Sequence, residues 1–165
     1  MIQKKICMLG TFAVGKTSLV RRFVESMYSD EYQTTVGVKI DKKVVKVGDQ
    51  EMMLLLWDIQ GEDSVQDLRR SYLRGAAGYL LVADGTRRDT LYRTRAIQTL
   101  VQETVGPAPF LLLINKSDLT EEWSLKEDEI EEIKREGWQV IRTSAKTGLG
   151  VEEAFLTLSQ KMLVT

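Results

Sequence analysis

The chain has 165 residues, 43% of them hydrophobic, which is enough for one buried core and short of what two ordinary domains need. Lys and Arg number 23 against 24 Asp and Glu, a net charge of -1, so the broad positive field that draws nucleic acids or acidic membranes is missing; with no His, imidazole catalysis and imidazole metal sites are excluded. No stretch approaches the roughly 18 apolar residues of a membrane span, and the single Cys7, within Ile6-Cys7-Met8-Leu9, has no partner for an internal disulfide and suits a reducing cytoplasmic setting.

Short apolar runs alternate with helical patterns along the chain, the arrangement that gives an α/β fold with a largely parallel sheet and helices on both faces. Lys5 to Gly10 is the first expected strand. Leu19, Val20, Phe23, Val24 and Met27 then recur at helical spacing and predict one buried face. Val38 to Val47 sets lysines among valines as an exposed edge strand does, Gly48-Asp49 marks a hairpin turn, and Met52 to Trp57 is a continuous apolar run suited to burial on both faces. Buried strands are expected at Tyr79 to Ala83, Phe110 to Ile114 and Val140 to Arg142. Ile130 and Ile133 share a helical face with the acidic run Glu127 to Glu132, which predicts a solvated helix rather than an acidic recognition surface. The last helix is expected to bury Val151, Ala154, Phe155, Leu158 and Met162.

Between the first strand and the first helix stands Gly10-Thr11-Phe12-Ala13-Val14-Gly15-Lys16-Thr17, the pattern G-x-x-x-x-G-K-S/T in its proper context. Glycines let the backbone curl so that successive N–H groups meet phosphate oxygens, and the following helix adds its positive end. Phe12, Ala13, Val14, Gly15, Lys16, Thr17 and Ser18 are therefore the expected phosphate contacts, with Lys16 on the β- and γ-phosphates and the Thr17 hydroxyl on Mg²⁺. Asp58-Ile59-Gln60-Gly61 begins where an apolar strand ends, so Asp58 is placed to hold Mg²⁺ through water and the Gly61 amide to approach the γ-phosphate. Taken alone, D-x-x-G is an ordinary turn; the preceding phosphate loop gives it meaning. At the end of a later strand, Asn115-Lys116-Ser117-Asp118 offers the Asp118 carboxylate to the N1–H and 2-amino donors of guanine, a pair that adenine lacks. Ser144-Ala145-Lys146 supplies a backbone N–H for the guanine O6.

These four segments, in this order, resemble the Ras-like small GTPases over essentially the whole chain. Within that group the Rab type is suggested by Thr35-Val36-Gly37-Val38, Trp57, Tyr72-Leu73-Arg74-Gly75-Ala76 and Asp84-Gly85-Thr86. The resemblance implies a P-loop NTPase G domain spanning 1–165, with a six-stranded, mostly parallel sheet, one antiparallel edge strand and about five helices on both faces. It implies a molecular switch that binds GTP or GDP with Mg²⁺ and hydrolyses GTP. Thr35 would be a second hydroxyl on Mg²⁺, with Thr34 beside it as the alternative, and Tyr28 would pack against the guanine or, equally, serve as a helix-end core aromatic. Lys16, Gly61 and Glu62 are the catalytic candidates. Glu62 stands where the family usually has a water-orienting glutamine; an ionised carboxylate accepts from that water but cannot donate to phosphate, so slow hydrolysis is expected, unless Glu62 is only a solvated loop residue.

Phe12 occupies a loop position that is normally small in the family, and it would either crowd an activating protein's arginine or cap the second switch. Ile40, Trp57 and Tyr72 match an apolar patch for protein effectors, Trp57 alternatively closing the core between the switches. An exchange factor and an activating protein are further implied partners; nucleic acid is not, and a monomer is expected. The sequence ends at Thr165 with no cysteine nearby, so no lipid anchor is expected in this chain. Two rival readings are a module that holds GTP with little hydrolysis and signals by occupancy, and a P-loop nucleotide kinase whose lid would draw on Arg69, Arg70 and Arg74. The guanine motif argues against the kinase.

Overall fold

The computed structural model describes residues 1–29, 37–61 and 68–164. Along the chain run β1 (Ile2–Leu9), α1 (Lys16–Glu25), β2 (Val38–Val47), β3 (Gln50–Ile59), α2 (Arg70–Leu73), β4 (Gly78–Asp84), α3 (Arg88–Val105), β5 (Phe110–Asn115), α4 (Glu127–Arg135), β6 (Val140–Arg142) and α5 (Val151–Leu163). Among the described residues these make one six-stranded sheet in the order β2-β3-β1-β4-β5-β6, parallel except for the antiparallel β2–β3 pair, and five helices. The α/β fold expected from the sequence is the one observed.

Alternation along the strands builds two cores. Ile6, Met8, Leu54, Leu56, Leu80, Val82, Leu111 and Leu113 point to one face and pack with Leu19, Val20 and Phe23 of α1 and with Val151, Ala154, Phe155, Leu158 and Met162 of α5. Phe23 and Phe155 stack with ring centroids 4.1 Å apart, locking the two helices together. Cys7, Leu9, Tyr79, Leu81, Leu112 and Ile114 point the other way and meet Leu73 of α2, Leu91, Ile97 and Val101 of α3, and Ile130 and Ile133 of α4. The acidic α4 is thus an amphipathic cover with its charges outward. Burial pushes the Cys7 thiol up to about 12 against the opposing charge of Lys5, so it stays a neutral core group.

Three expectations are corrected. β1 starts at Ile2 rather than Lys5 and ends at Leu9, because it pairs with β3 from Ile2↔Met52 onward. Met27 is 51% exposed rather than buried: Ser26 adopts a left-handed conformation (φ 55, ψ 33), its N–H closes on the carbonyls of Arg21 and Arg22, and α1 ends at Glu25. In the Met52 to Trp57 run only Met52, Leu54 and Leu56 are fully buried; Met53, Leu55 and Trp57 are half-buried, since the core on their face draws its strand residues mainly from β1, β4 and β5.

Candidate functional site

β1 lies mid-sheet between β3 and β4, so the chain order reverses around it, and a crevice opens beyond the carboxyl ends of the strands at such a point. The loop leaving β1 passes there into α1. Gly15, the residue before the helix, has φ 101, and a side chain on it would also collide with the Asn115 amide. The N-terminus of α1 has no side-chain cap and no acidic residue in its first turn, whereas α3, α4 and α5 each carry acids there. Its amide end is left to attract an anion.

Side chains from distant parts of the chain hold the outer side of this loop. Arg87 Nη2 donates to the Phe12 carbonyl at 2.7 Å, Lys116 Nζ to that of Ala13 at 3.1 Å, and Asn115 Nδ2 to that of Val14 at 3.0 Å. A peptide's C=O and N–H point in opposite directions, so the N–H groups of Ala13, Val14 and Gly15 are turned away from these donors, toward the crevice. Ala13 holds a left-handed conformation (φ 61) that costs a non-glycine residue energy and persists where its surroundings fix it. The Lys16 ammonium, almost fully buried, donates to the carbonyls of Gly10 at 3.2 Å and Thr11 at 3.3 Å.

Two of the three outer donors converge on Asp84, a carboxylate 1% exposed at the end of β4. Its Oδ2 meets Lys116 Nζ at 2.8 Å and Arg87 Nε at 3.1 Å, and its Oδ1 accepts from the Thr86 N–H at 2.8 Å and hydroxyl at 2.6 Å. Burial pushes the Asp84 carboxyl upward, but the hydrogen bonds from Lys116 and Thr86 and the Lys116 charge outweigh it and hold it below its ordinary 3.8. The third donor, Asn115, is buried and accepts at Oδ1 from the Thr143 hydroxyl at 3.1 Å. Its side chain is therefore committed to protein groups on both sides.

Next to the loop lies a cavity of about 400 Å³, within the range of small-ligand sites. Ala13, Gly15, Ser18, Tyr28, Asn115, Lys116, Asp118, Ala145 and Lys146 line it, all from the expected set, together with Ser29 and Leu119, which sequence reading did not select. Tyr28 is 38% exposed and faces this cavity rather than the core. Asp118 Oδ1 accepts from the Ser144 hydroxyl at 2.7 Å, and the Ser144 oxygen in turn accepts from the Thr147 N–H at 3.1 Å, so Ser144 acts through its side chain as well.

On the opposite side of Lys16, the Thr17 hydroxyl donates to Asp58 Oδ2 at 2.5 Å, which brings two hard oxygen groups together as a magnesium ion requires. Asp58 is inside β3, one residue before its end. Gly61 packs so closely that an added Cβ would lie 2.8 Å from the Lys16 ammonium and 2.7 Å from the Thr11 carbonyl. Beyond the Val38↔Ile59 pair the β2–β3 ladder gains one more step: Gln60 N–H donates to the Gly37 carbonyl at 2.7 Å, and Gly37 N–H donates to Gln60 Oε1 at 2.8 Å. Thr34, Thr35 and Glu62 lie outside the described residues.

A family model described as the Ras family matches residues 5–164. The chain belongs to the Ras family. It is accordingly a small GTPase of the P-loop type, a GTP-binding switch in general terms. In this Ras-family chain Val14 is fully buried, so only its backbone faces the site, whereas Phe12 is 47% exposed and belongs to neither core. Ile40, 47% exposed, stands directly across from Trp57 in the β2–β3 ladder. Trp57 and Tyr72 are half-buried against the α2–α4 core, and the Lys5 ammonium sits 3.5 Å above the Trp57 ring. Trp57 therefore packs against that core while remaining half-buried. Arg87 and Thr143 were missed in the sequence, where nothing marks them; Gln60 and Asp84 stood within quoted segments, Asp58-Ile59-Gln60-Gly61 and Asp84-Gly85-Thr86, but were given no role there.

Proposed function

We propose that this chain is a single-domain, cytoplasmic, monomeric switch closest in kind to the Rab type, which binds GTP or GDP with Mg²⁺ and hydrolyses GTP slowly. The observation that carries the reading is the outward anchoring of the Phe12, Ala13 and Val14 carbonyls, which leaves three successive N–H groups aimed at the crevice. Those amides, Thr17 and Ser18 at the start of α1, and the Lys16 ammonium grip the phosphates. Asp118, oriented by Ser144, takes the N1–H and 2-amino group of guanine, the Ala145 and Lys146 backbone faces O6, and Tyr28 and the Lys116 stem flank the ring.

Thr17 and Asp58, the latter through water, fit Mg²⁺, and Thr35 is the third candidate; bound there, the ion supplies charge neutralisation at the β- and γ-phosphates. In hydrolysis, water attacks the γ-phosphorus in line with the bond to the β–γ bridging oxygen; that bond breaks, leaving GDP and inorganic phosphate. Lys16 and the loop amides stabilise the charge that builds on the leaving oxygens, and Gly61, already against Lys16, brings its N–H to the γ-phosphate. Glu62 orients the water by accepting a hydrogen bond from it. Ile40, Trp57 and Tyr72 form the candidate effector face, and an exchange factor and an activating protein act on the same side, where the exposed Phe12 ring narrows the approach.

Phosphate release under excess GTP tests this. Wild type should turn over slowly and Glu62→Ala more slowly still. Equal rates in the two would remove Glu62 from the mechanism, and no release at all from a protein that binds GTP would favour a module acting by occupancy.

A further inference from the structure

We infer that Arg87 is a positioning residue of the phosphate loop: it fixes the Phe12–Ala13 peptide so that the Ala13 N–H is turned toward the diphosphate before nucleotide arrives. The inference rests on the nucleotide-binding reading above and adds to it a residue outside the phosphate-loop and guanine motifs.

That peptide has few other anchors. Val14 is held by its own side chain, which is fully buried, but the Phe12 ring is 47% exposed and belongs to neither core cluster. Ala13 has only a methyl group and sits at φ 61, a conformation it would leave unless restrained. The restraints are therefore the two carbonyl contacts, from Arg87 to Phe12 at 2.7 Å and from Lys116 to Ala13 at 3.1 Å.

Arg87 is itself well placed for the task. Its N–H donates to the Asp84 carbonyl at 2.9 Å, its carbonyl accepts from the Thr90 hydroxyl at 2.8 Å, and its Nε is paired with the buried Asp84 at 3.1 Å. Backbone and guanidinium are thereby fixed, and Nη2 is the remaining arm that reaches the loop. The planar fork lets one side chain hold Asp84 and Phe12 together; a lysine has a single ammonium and no such fixed pair of directions. Asp84 also pairs with Lys116, so one carboxylate aligns both cations that hold the loop's outer edge.

The test compares the affinities of the full chain for GDP and for GMP, each with Mg²⁺, in wild type, Arg87→Ala, Arg87→Lys and, as a control for loss of a neighbouring charge, Arg88→Ala. GDP presents a β-phosphate to the loop amides and GMP does not, so the ratio of the two affinities reports the loop separately from the rest of the site. Arg87→Ala should lower the GDP-to-GMP ratio by roughly ten-fold, the size expected for loss of a charge-assisted hydrogen bond. Arg87→Lys should recover part of it, and Arg88→Ala should leave the ratio as in wild type. An unchanged ratio in Arg87→Ala, whether both affinities hold or both fall together, overturns the positioning role. Wild type that binds neither nucleotide fails the nucleotide reading itself, and the inference with it.

Discussion

On the side of the loop that faces Asn115, the supporting polar groups are buried and doubly bonded: Asp84 holds Lys116 and Arg87, and Asn115 bridges Val14 and Thr143. On the side that faces Gly61, among the described residues, the step beyond the last β2–β3 pair is one backbone hydrogen bond closed by an amide side chain, Gln60 on Gly37. The hydrogen bonds of that link are worth about 1 kcal/mol each, while the Asp84 pairs, with cations 34% and 39% exposed, cost less to break than the roughly 3–5 kcal/mol of a fully buried pair but more than one neutral hydrogen bond. On the proposed reading, a change at the γ-phosphate is met on the Gly61 side rather than on the Asn115 side. On that reading, affinity and base choice belong to one half and switching to the other.

The largest expected effect lies where the halves meet. Lys16→Ala removes a nearly buried ammonium that both sides use, and GDP affinity measured by calorimetry should fall by at least roughly 100-fold. Retained affinity would mean that the loop amides suffice.

Asp84→Asn attacks the rigid half. Its partners Lys116 and Arg87 are 34% and 39% exposed and can turn to water, so the loss in urea unfolding should be below the fully buried range, about 2 kcal/mol. The pH dependence has a definite sign. The native carboxyl is held below its ordinary 3.8, so its stabilisation is complete above that value and is lost as the pH falls through the lower native value. The stability gap between wild type and Asp84→Asn should stay constant from neutrality to about pH 5 and close only in stronger acid. A gap that widened on acidification would contradict the ion-pair account.

Gln60→Ala tests the lighter half and should be the mildest. Its loss in urea unfolding should not exceed about 1 kcal/mol; a loss as large as that of Asp84→Asn would erase the contrast between the two sides.

What the sequence made legible follows from which forces are local. Strand alternation and helix spacing announced the sheet, and Gly10 to Thr17 announced the loop, since each depends on residues close in sequence. Met27 failed because the end of α1 is set by the left-handed turn at Ser26, which spacing does not register. Met53, Leu55 and Trp57 failed because burial of a strand's second face depends on which helices lie over it. Arg87 reaches Phe12 across 75 residues and Asn115 reaches Val14 across 101, contacts made only when β4 falls beside β1 and β5 beside β4. Asn115 was marked by its motif and Arg87 by none. The Gln60–Gly37 bond is likewise a product of the β2–β3 register.

The most direct measurement is competition for labelled GDP on the purified chain with Mg²⁺, using GTP and ATP as competitors. If Asp118, which accepts from Ser144 at 2.7 Å, reads guanine as proposed, GTP should displace the label and ATP should fail at concentrations at least roughly 10⁴-fold higher. Displacement by ATP as readily as by GTP, or no binding of the label, would contradict the account.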